Sequence, residues 1–281
     1  MATASGLAVQ IRGLSLSFAG KPGSPPLPVL VNIDLAVRAG EFICIVGPSG
    51  CGKSTLLNIL GGFLVHSCGE VLVEGQPVSG PDPRRIFVFQ ENGVFPWLTV
   101  HDNIGFGLFG KPAAERERLI AYYVEMVGLR GFERAYPWEV SGGMKQRVEL
   151  ARALAANPDI IYMDEPFGAL DFVTRLKMRA DLSRIWQTER KTILFVTHDI
   201  EEAVQLSDRI VVMSRRPGSI KEIVPVALPR PRDLDSPGYL ECRDRVFTAM
   251  GMSLRIGELA SASAAEAAVD PEAADPGGSD R

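Results

Sequence analysis

The stretch Gly47-Pro48-Ser49-Gly50-Cys51-Gly52-Lys53-Ser54-Thr55 constrains this chain more than any other, because its pattern has a use only between a strand and a helix. The spacing is Gly, four residues, then Gly-Lys-Ser, the P-loop pattern for holding phosphate. The run before it, Glu41-Phe42-Ile43-Cys44-Ile45-Val46, is short, apolar and β-prone, and Leu56, Leu57 and Leu60 recur after it at helical spacing. In that context the loop N–H groups converge on an anion at the positive end of a helix. Lys53 would reach the β and γ phosphates of a nucleotide, and the Ser54 hydroxyl would ligate Mg²⁺. The plain alternative is a glycine-rich turn with a solvated lysine, which the flanking strand and helix disfavour.

A chain of 281 residues buries a large core and has room for a domain with a subdomain. Its net charge is −4, and the excess is local: beyond Gly257 six acids face Arg281 alone, so the rest is close to neutral. No strongly basic face is evident, so no nucleic-acid partner is expected. Cys44, Cys51, Cys68 and Cys242 lie far apart without a CxxC pair, and read as reduced thiols of a cytosolic protein. No signal peptide is recognisable, and no stretch approaches the roughly 18 apolar residues of a membrane span. Any membrane role is expected to come through a partner.

Along the chain, Leu7 to Phe18 alternates like an edge strand, and Lys21 to Pro28 is a proline-rich loop before a strand over Val29 to Val37. Gly61-Gly62 stops the first helix. Val71 to Gly75 is hairpin-like, and Arg85 to Gln90 is a buried strand ending on an amide. Glu91 to Gly110 is aromatic and glycine-rich without a clear period, the composition of an ordered functional loop. Leu119, Tyr122, Tyr123, Met126 and Val127 mark one helical stripe, and a further helix starts at Ser141-Gly142-Gly143. Strands at Asp159 to Met163, Thr192 to Thr197 and Ile210 to Met213 alternate with helices. The expected fold is therefore α/β, a P-loop NTPase core with a mainly parallel sheet, an antiparallel β subdomain and an inserted helical subdomain. Its parts are 1–90 with 159–235 as a discontinuous core, 91–158 as the helical subdomain, a C-terminal helix over 236–256 and a disordered acidic tail over 257–281.

Asp164-Glu165 ends an apolar strand, where one carboxylate can hold Mg²⁺ and its neighbour can take a proton from an attacking water. Taken alone, Asp164 could equally cap the next helix. Gln90 could be an edge residue, His198-Asp199 an N-cap pair, and Ser141-Gly142-Gly143 an ordinary helix start. Their order along one chain weights the catalytic reading.

With those residues in that order, the chain resembles the ATP-binding subunit of ABC transporters from Leu7 to about Ile223. The matching pieces are Gly47 to Thr55 (Walker A), Gln90 (Q-loop), Val140 to Arg147 (signature), Ile160 to Pro166 (Walker B), Ala169-Leu170-Asp171 (D-loop) and His198. The resemblance implies ATP and Mg²⁺ as ligands and a head-to-tail dimer, most simply a homodimer. In it, each ATP lies between one copy's P-loop and Ser141, Gly142 and Gly143 of the other. It implies Glu165 as general base, and Lys53 on the phosphates within Gly47, Pro48, Ser49, Gly50, Cys51, Gly52, Ser54 and Thr55. Asp164, Ser54 and Gln90 would surround the magnesium, and Gln90 and His198 would sense the γ-phosphate. Asp171 would organise the dimer seam, and Phe18 would stack on adenine where the family often has tyrosine.

A narrower resemblance, to importers of nitrate, sulfonates and taurine, rests on Phe89-Gln90-Glu91, Phe95 to Val100, Asp102-Asn103-Ile104, Glu165 to Asp171 and Arg215 to Ile220. Relatives carrying other cargo, such as pyrimidine precursors, share these pieces. It implies transmembrane permease subunits as partners, an external solute-binding protein acting indirectly, and a peripheral place on the cytoplasmic face of the inner membrane. Phe95, Trp97 and Leu98 would be either subdomain core or part of a groove for a permease helix. Departures are Val140 where leucine is usual, the Lys21 to Pro28 insertion and the acidic tail. A soluble ABC ATPase of DNA repair or translation is disfavoured by the single cassette without a long coiled coil. A non-hydrolysing regulatory cassette is disfavoured by Glu165 and His198.

Overall fold

The computed structural model describes residues 6–20, 24–89 and 93–252. Gln90 lies outside the described residues, as do residues 21–23 of the proline-rich insertion and the tail expected over 257–281.

The strands, in chain order, are β1 (Leu7–Phe18), β2 (Leu27–Arg38), β3 (Phe42–Val46), β4 (Cys68–Val73), β5 (Gln76–Pro77) and β6 (Arg85–Val88), then β7 (Ile160–Asp164), β8 (Thr192–Val196), β9 (Arg209–Met213) and β10 (Ile220–Pro225). They form two sheets. One is antiparallel, ordered β2-β1-β4-β5, with Leu7 opposite Arg38 and Phe18 opposite Leu27. The β4 to β5 turn, Glu74-Gly75, has φ of 50° and 72°, the positive pair that a two-residue hairpin needs to match strand twist. The other sheet is ordered β10-β9-β3-β8-β7-β6 and is parallel except for β10, which runs antiparallel to β9.

The inner strands of the second sheet, β3, β8 and β7, are apolar along most of their length because both faces are covered. Side chains alternate between those faces. Phe42, Cys44 and Val46 of β3 join Ile161, Met163 and Phe195 in a core shared with most of the helices, whereas Ile43 and Ile45 join Tyr162, Leu194 and the antiparallel sheet in a second core. Helix α1 (Lys53–Gly61) contributes Leu56, Leu57, Ile59 and Leu60 to that second core.

Between β6 and β7 the described chain is helical: α2 (Val100–Gly105), α3 (Ala113–Met126) and α4 (Gly142–Ala155). Two sequence expectations change here. The Glu91 to Gly110 segment contains α2, capped by the Thr99 side chain accepting from Asp102 N–H; six residues are too few to show a period. On α3 the stripe is offset by one residue. Ile120, Tyr123, Val124 and Val127 are buried while Tyr122 is exposed, because two overlapping i, i+3, i+4, i+7 sets satisfy the same spacing. Helices α5 (Phe172–Glu189), α6 (Ile200–Leu206) and α7 (Pro237–Ala249) complete the layer, with Met178, Leu182, Ile185 and Trp186 of α5 facing the sheet.

Phe195 is fully buried in β8 between the rings of Phe42 and Phe167, with centroids 5.9 and 5.6 Å away. Phe195→Ala is expected to lower unfolding free energy by roughly 3–5 kcal/mol, read from urea unfolding; a loss under about 1 kcal/mol would mean that the site collapses around the cavity.

Candidate functional site

The site grows from the carboxyl edge of the six-stranded sheet. The chain leaves β3 at Val46, and Gly52 caps α1 at φ 101°, a left-handed conformation that suits glycine. A side chain there would also press on Leu30, whose Cδ2 would lie 2.7 Å from an added Cβ. Lys53, 7 % exposed, starts the helix and donates from Nζ to the carbonyls of Gly47 (2.9 Å) and Pro48 (3.1 Å), which holds the ammonium over the loop. Loop N–H groups, a helix N-terminus and a buried cation together make a strong anion site.

Two strands away in the sheet, β7 ends in Asp164, followed by Glu165. Burial raises the Asp164 carboxyl above its ordinary pKa, and the nearby Glu165 adds to the rise. A hydrogen bond with Ser54 and the Lys53 charge oppose it. Its Oδ1 is buried without a hydrogen-bond partner. An orphaned carboxylate oxygen beside a hydroxyl, facing a phosphate-binding loop, fits Mg²⁺, which takes a few hard oxygen ligands and fills its octahedron with water and phosphate. Among the described residues no cluster of three or more His, Cys, Asp or Glu side chains could hold a metal.

Glu165 sits at φ 47°, unusual for a residue with a Cβ, and its N–H donates to the Val196 carbonyl (2.9 Å) at the end of β8. That bond brings it to His198, two residues on, whose Nδ1 lies 3.0 Å from Glu165 Oε2. A cleft of about 320 Å³ is lined by Phe18, Val29, Ser49, Gly50, Gly52, Lys53, Ser54, Thr55, Glu165 and Arg216. The chain thus brings together Phe18, the P-loop residues, Glu165 and, through it, His198.

Ser141, Gly142, Gly143 and Asp171 are absent from that lining and sit on two neighbouring helix starts. Ser141 caps α4, its Oγ accepting from Met144 N–H (3.3 Å), and Asp171 caps α5, its Oδ1 accepting from Thr174 N–H (3.1 Å). Gly143 packs against Thr174, whose Cγ2 would lie 2.6 Å from an added Cβ. Gln146 of α4 donates to the Pro166 carbonyl just after Glu165, so the second group is tied to the first.

Two features of the site were not legible in the sequence as site features. Arg216 lines the cleft although its motif, Arg215 to Ile220, carried no assigned role. Around His198, Thr197 Oγ1 donates to Glu202 Oε2 (2.6 Å) and accepts from Asp199 N–H (2.9 Å). Arg179 of α5, itself buried, bonds both Asp199 and Glu202, the latter at 3.2 Å. Burial pushes the Glu202 carboxyl up, against Thr197 and Arg179, which draw it down.

A family model described as ABC transporter matches residues 30–168. An uncharacterized ABC transporter ATP-binding protein of Methanocaldococcus jannaschii is 51% identical over 220 residues, 78% of this chain and 82% of that protein. The aliphatic sulfonates import ATP-binding protein of Bacillus cereus is 43% identical over 241 residues, 86% of this chain and 95% of that one. Among solved structures, a dimeric bacterial ABC transporter cassette is similar with a TM-score of 0.66 and 32% identity, covering 78% of this chain and 98% of that chain. A post-hydrolysis state of such a cassette, bound to ADP and Pi, is similar with a TM-score of 0.65 and 31% identity over the same shares.

Because the folded pKa of Asp164 is raised, its contribution to stability is full below the unfolded pKa and is lost as pH rises through the folded value. The nucleotide-free protein is therefore stabilised less by this buried carboxyl as the pH rises. Asp164→Asn is expected to raise its thermal midpoint at pH 7 and to narrow the difference at acid pH; a lower midpoint at pH 7 would contradict this account.

Proposed function

The chain belongs to the ABC transporter family as an ATP-binding and ATP-hydrolysing subunit, and from that premise we propose that it drives uptake of a small anion, with an aliphatic sulfonate as the first candidate and nitrate or taurine as close alternatives. The observation that carries the cargo class is the 43% identity, over 95% of its length, to a protein named for aliphatic sulfonate import.

In this reading the loop N–H groups from Gly47 to Thr55 and the α1 N-terminus cradle the phosphates, and Lys53 neutralises the β and γ charge. Phe18 offers the adenine a stacking face. Asp164 and Ser54 would hold Mg²⁺, with Gln90 as the third group from the sequence; the ion supplies charge neutralisation at the phosphates. Glu165 takes the proton of the attacking water, and His198, hydrogen-bonded to it, orients its carboxylate and meets the γ-phosphate. Preorganised groups of this kind stabilise the charge that develops in phosphoryl transfer.

Ser141, Gly142 and Gly143 lie off the cleft of their own chain, and the similar cassettes have dimeric structures. Both facts support a head-to-tail dimer in which these residues meet the partner copy's nucleotide and Asp171 lies at the seam. No helix among the described residues is long and apolar enough to cross a membrane. By analogy with the sulfonate import relative, the subunit would work at the cytoplasmic face, bound to permease subunits that receive cargo from an external solute-binding protein. Exposed Phe89, Trp97, Phe106 and Phe109 flank the segment that follows β6 and suit a permease contact.

Glu165→Gln is expected to keep ATP binding and lower steady-state hydrolysis by roughly 10²–10⁴; hydrolysis at the wild-type rate would remove Glu165 from the mechanism. For cargo, the permease that co-purifies with the chain should support uptake of radiolabelled alkanesulfonate into proteoliposomes loaded with ATP, with the binding protein added outside. Uptake of nitrate or taurine instead would keep the ATPase assignment and change only the cargo.

A further inference from the structure

The loop that follows β9 is built against the nucleotide cleft. Ser214 N–H donates to the Ser219 carbonyl (2.9 Å), Ser214 Oγ donates to the Pro217 carbonyl (3.2 Å), and Ser219 N–H donates back to Ser214 Oγ (2.9 Å), so residues 214–219 close on themselves. Gly218 then clips the loop to β2, donating to Val29 O (2.8 Å) and accepting from Val31 N–H (2.9 Å). A Cβ on Gly218 would collide with the Cys51 carbonyl of the P-loop, so glycine alone permits this close approach. The result is a rigid platform that carries Arg216 into the lining of the cleft. Arg216 is exposed and, among the described residues, makes no hydrogen bond or ion pair. A positioned loop around an unpaired guanidinium is a poor use of sequence unless the guanidinium meets something else.

Topology says which end of the cleft it serves. Strands β9 and β8 flank β3 on opposite sides, and β7 lies beyond β8. Neighbouring strands are about 4.8 Å apart, so the loop after β9 and Glu165 after β7 are separated by roughly three strand spacings, with the P-loop between them. Glu165 and His198 occupy the hydrolytic side. The loop after β9 is on the other side and is bonded to β2, the strand whose Leu27 pairs with Phe18.

We infer that Arg216 is a second nucleoside-binding side chain, flanking the base and ribose together with Phe18 and lying away from the γ-phosphate. Guanidinium planes stack on bases and on aromatic rings, and the positive charge favours a polyanionic ligand as well. The inference rests on the cleft being the ATP site, as proposed above.

The test is calorimetric titration of the full-length chain with ATP and with ADP, each with Mg²⁺, for wild type, Arg216→Ala, Arg216→Lys and Lys53→Ala. Arg216→Ala is expected to raise Kd about threefold to tenfold for both nucleotides alike, with Arg216→Lys in between. Lys53→Ala should weaken ATP more than ADP. An Arg216→Ala affinity equal to wild type, or a loss confined to ATP, overturns the inference while leaving the ATP site intact. Failure of wild type itself to bind either nucleotide would overturn the site assignment and this inference with it. Circular dichroism of each variant separates a lost contact from a lost fold: an unfolded Arg216→Ala is replaced by Arg216→Gln, read against the same outcomes.

Discussion

Parallel pairing of β9, β3, β8 and β7 is the constraint on which the rest of the molecule depends. Ile45 of β3 is opposite Val196 of β8, and Val196 is opposite Asp164 of β7, so the three strands end level. Their successors are the P-loop, His198 and Glu165. The bonds that continue past the strand ends, Thr197 N–H to Ile45 O (3.2 Å) and Glu165 N–H to Val196 O (2.9 Å), extend that register into the site. A slip of one residue would turn every side chain of a strand to the other face and carry Asp164 away from Ser54. Burial of both faces of the sheet makes such a slip very unfavourable.

Against that rigid edge the molecule places charges that a stable fold would avoid. Lys53 is buried on carbonyls alone, and Asp164 keeps an unpartnered oxygen. The network of Arg179, Asp199, Glu202 and Thr197 is different in kind, since its carboxylates find donors on α5 and on their own turn. The first group is left incomplete where a ligand would complete it, and the second pairs its carboxylates internally and holds the turn that carries His198. Incomplete polar groups beside paired carboxylates mark where the fold gives up stability for function.

The same edge explains why Glu165 and the start of α4 are neighbours. Glu165 is followed by Pro166, whose carbonyl receives Gln146 of α4, and Gly143 packs on Thr174, in the first turn of α5 that Asp171 caps.

Local chemistry was legible in the residues themselves: the Gly47 to Thr55 spacing, the cap at Ser141, the stop at Gly62 and the carboxylate pair after β7 all depend on near neighbours in the chain. On α3 local spacing was ambiguous, because only contact with α2 and α4 selects Ile120, Tyr123 and Val124 over Tyr122. Helix α2 was hidden by its length. Strand order, the pairing of Arg179 with Asp199 and Glu202, and the approach of Arg216 to the P-loop join residues far apart in sequence, and no local period reports such distances. By itself the sequence determined that this chain holds a nucleotide's phosphates and has the groups to cleave one. The tertiary structure decided which of those groups share a cleft and which face outward, because that depends on the order of strands in a sheet whose core is sealed on both faces.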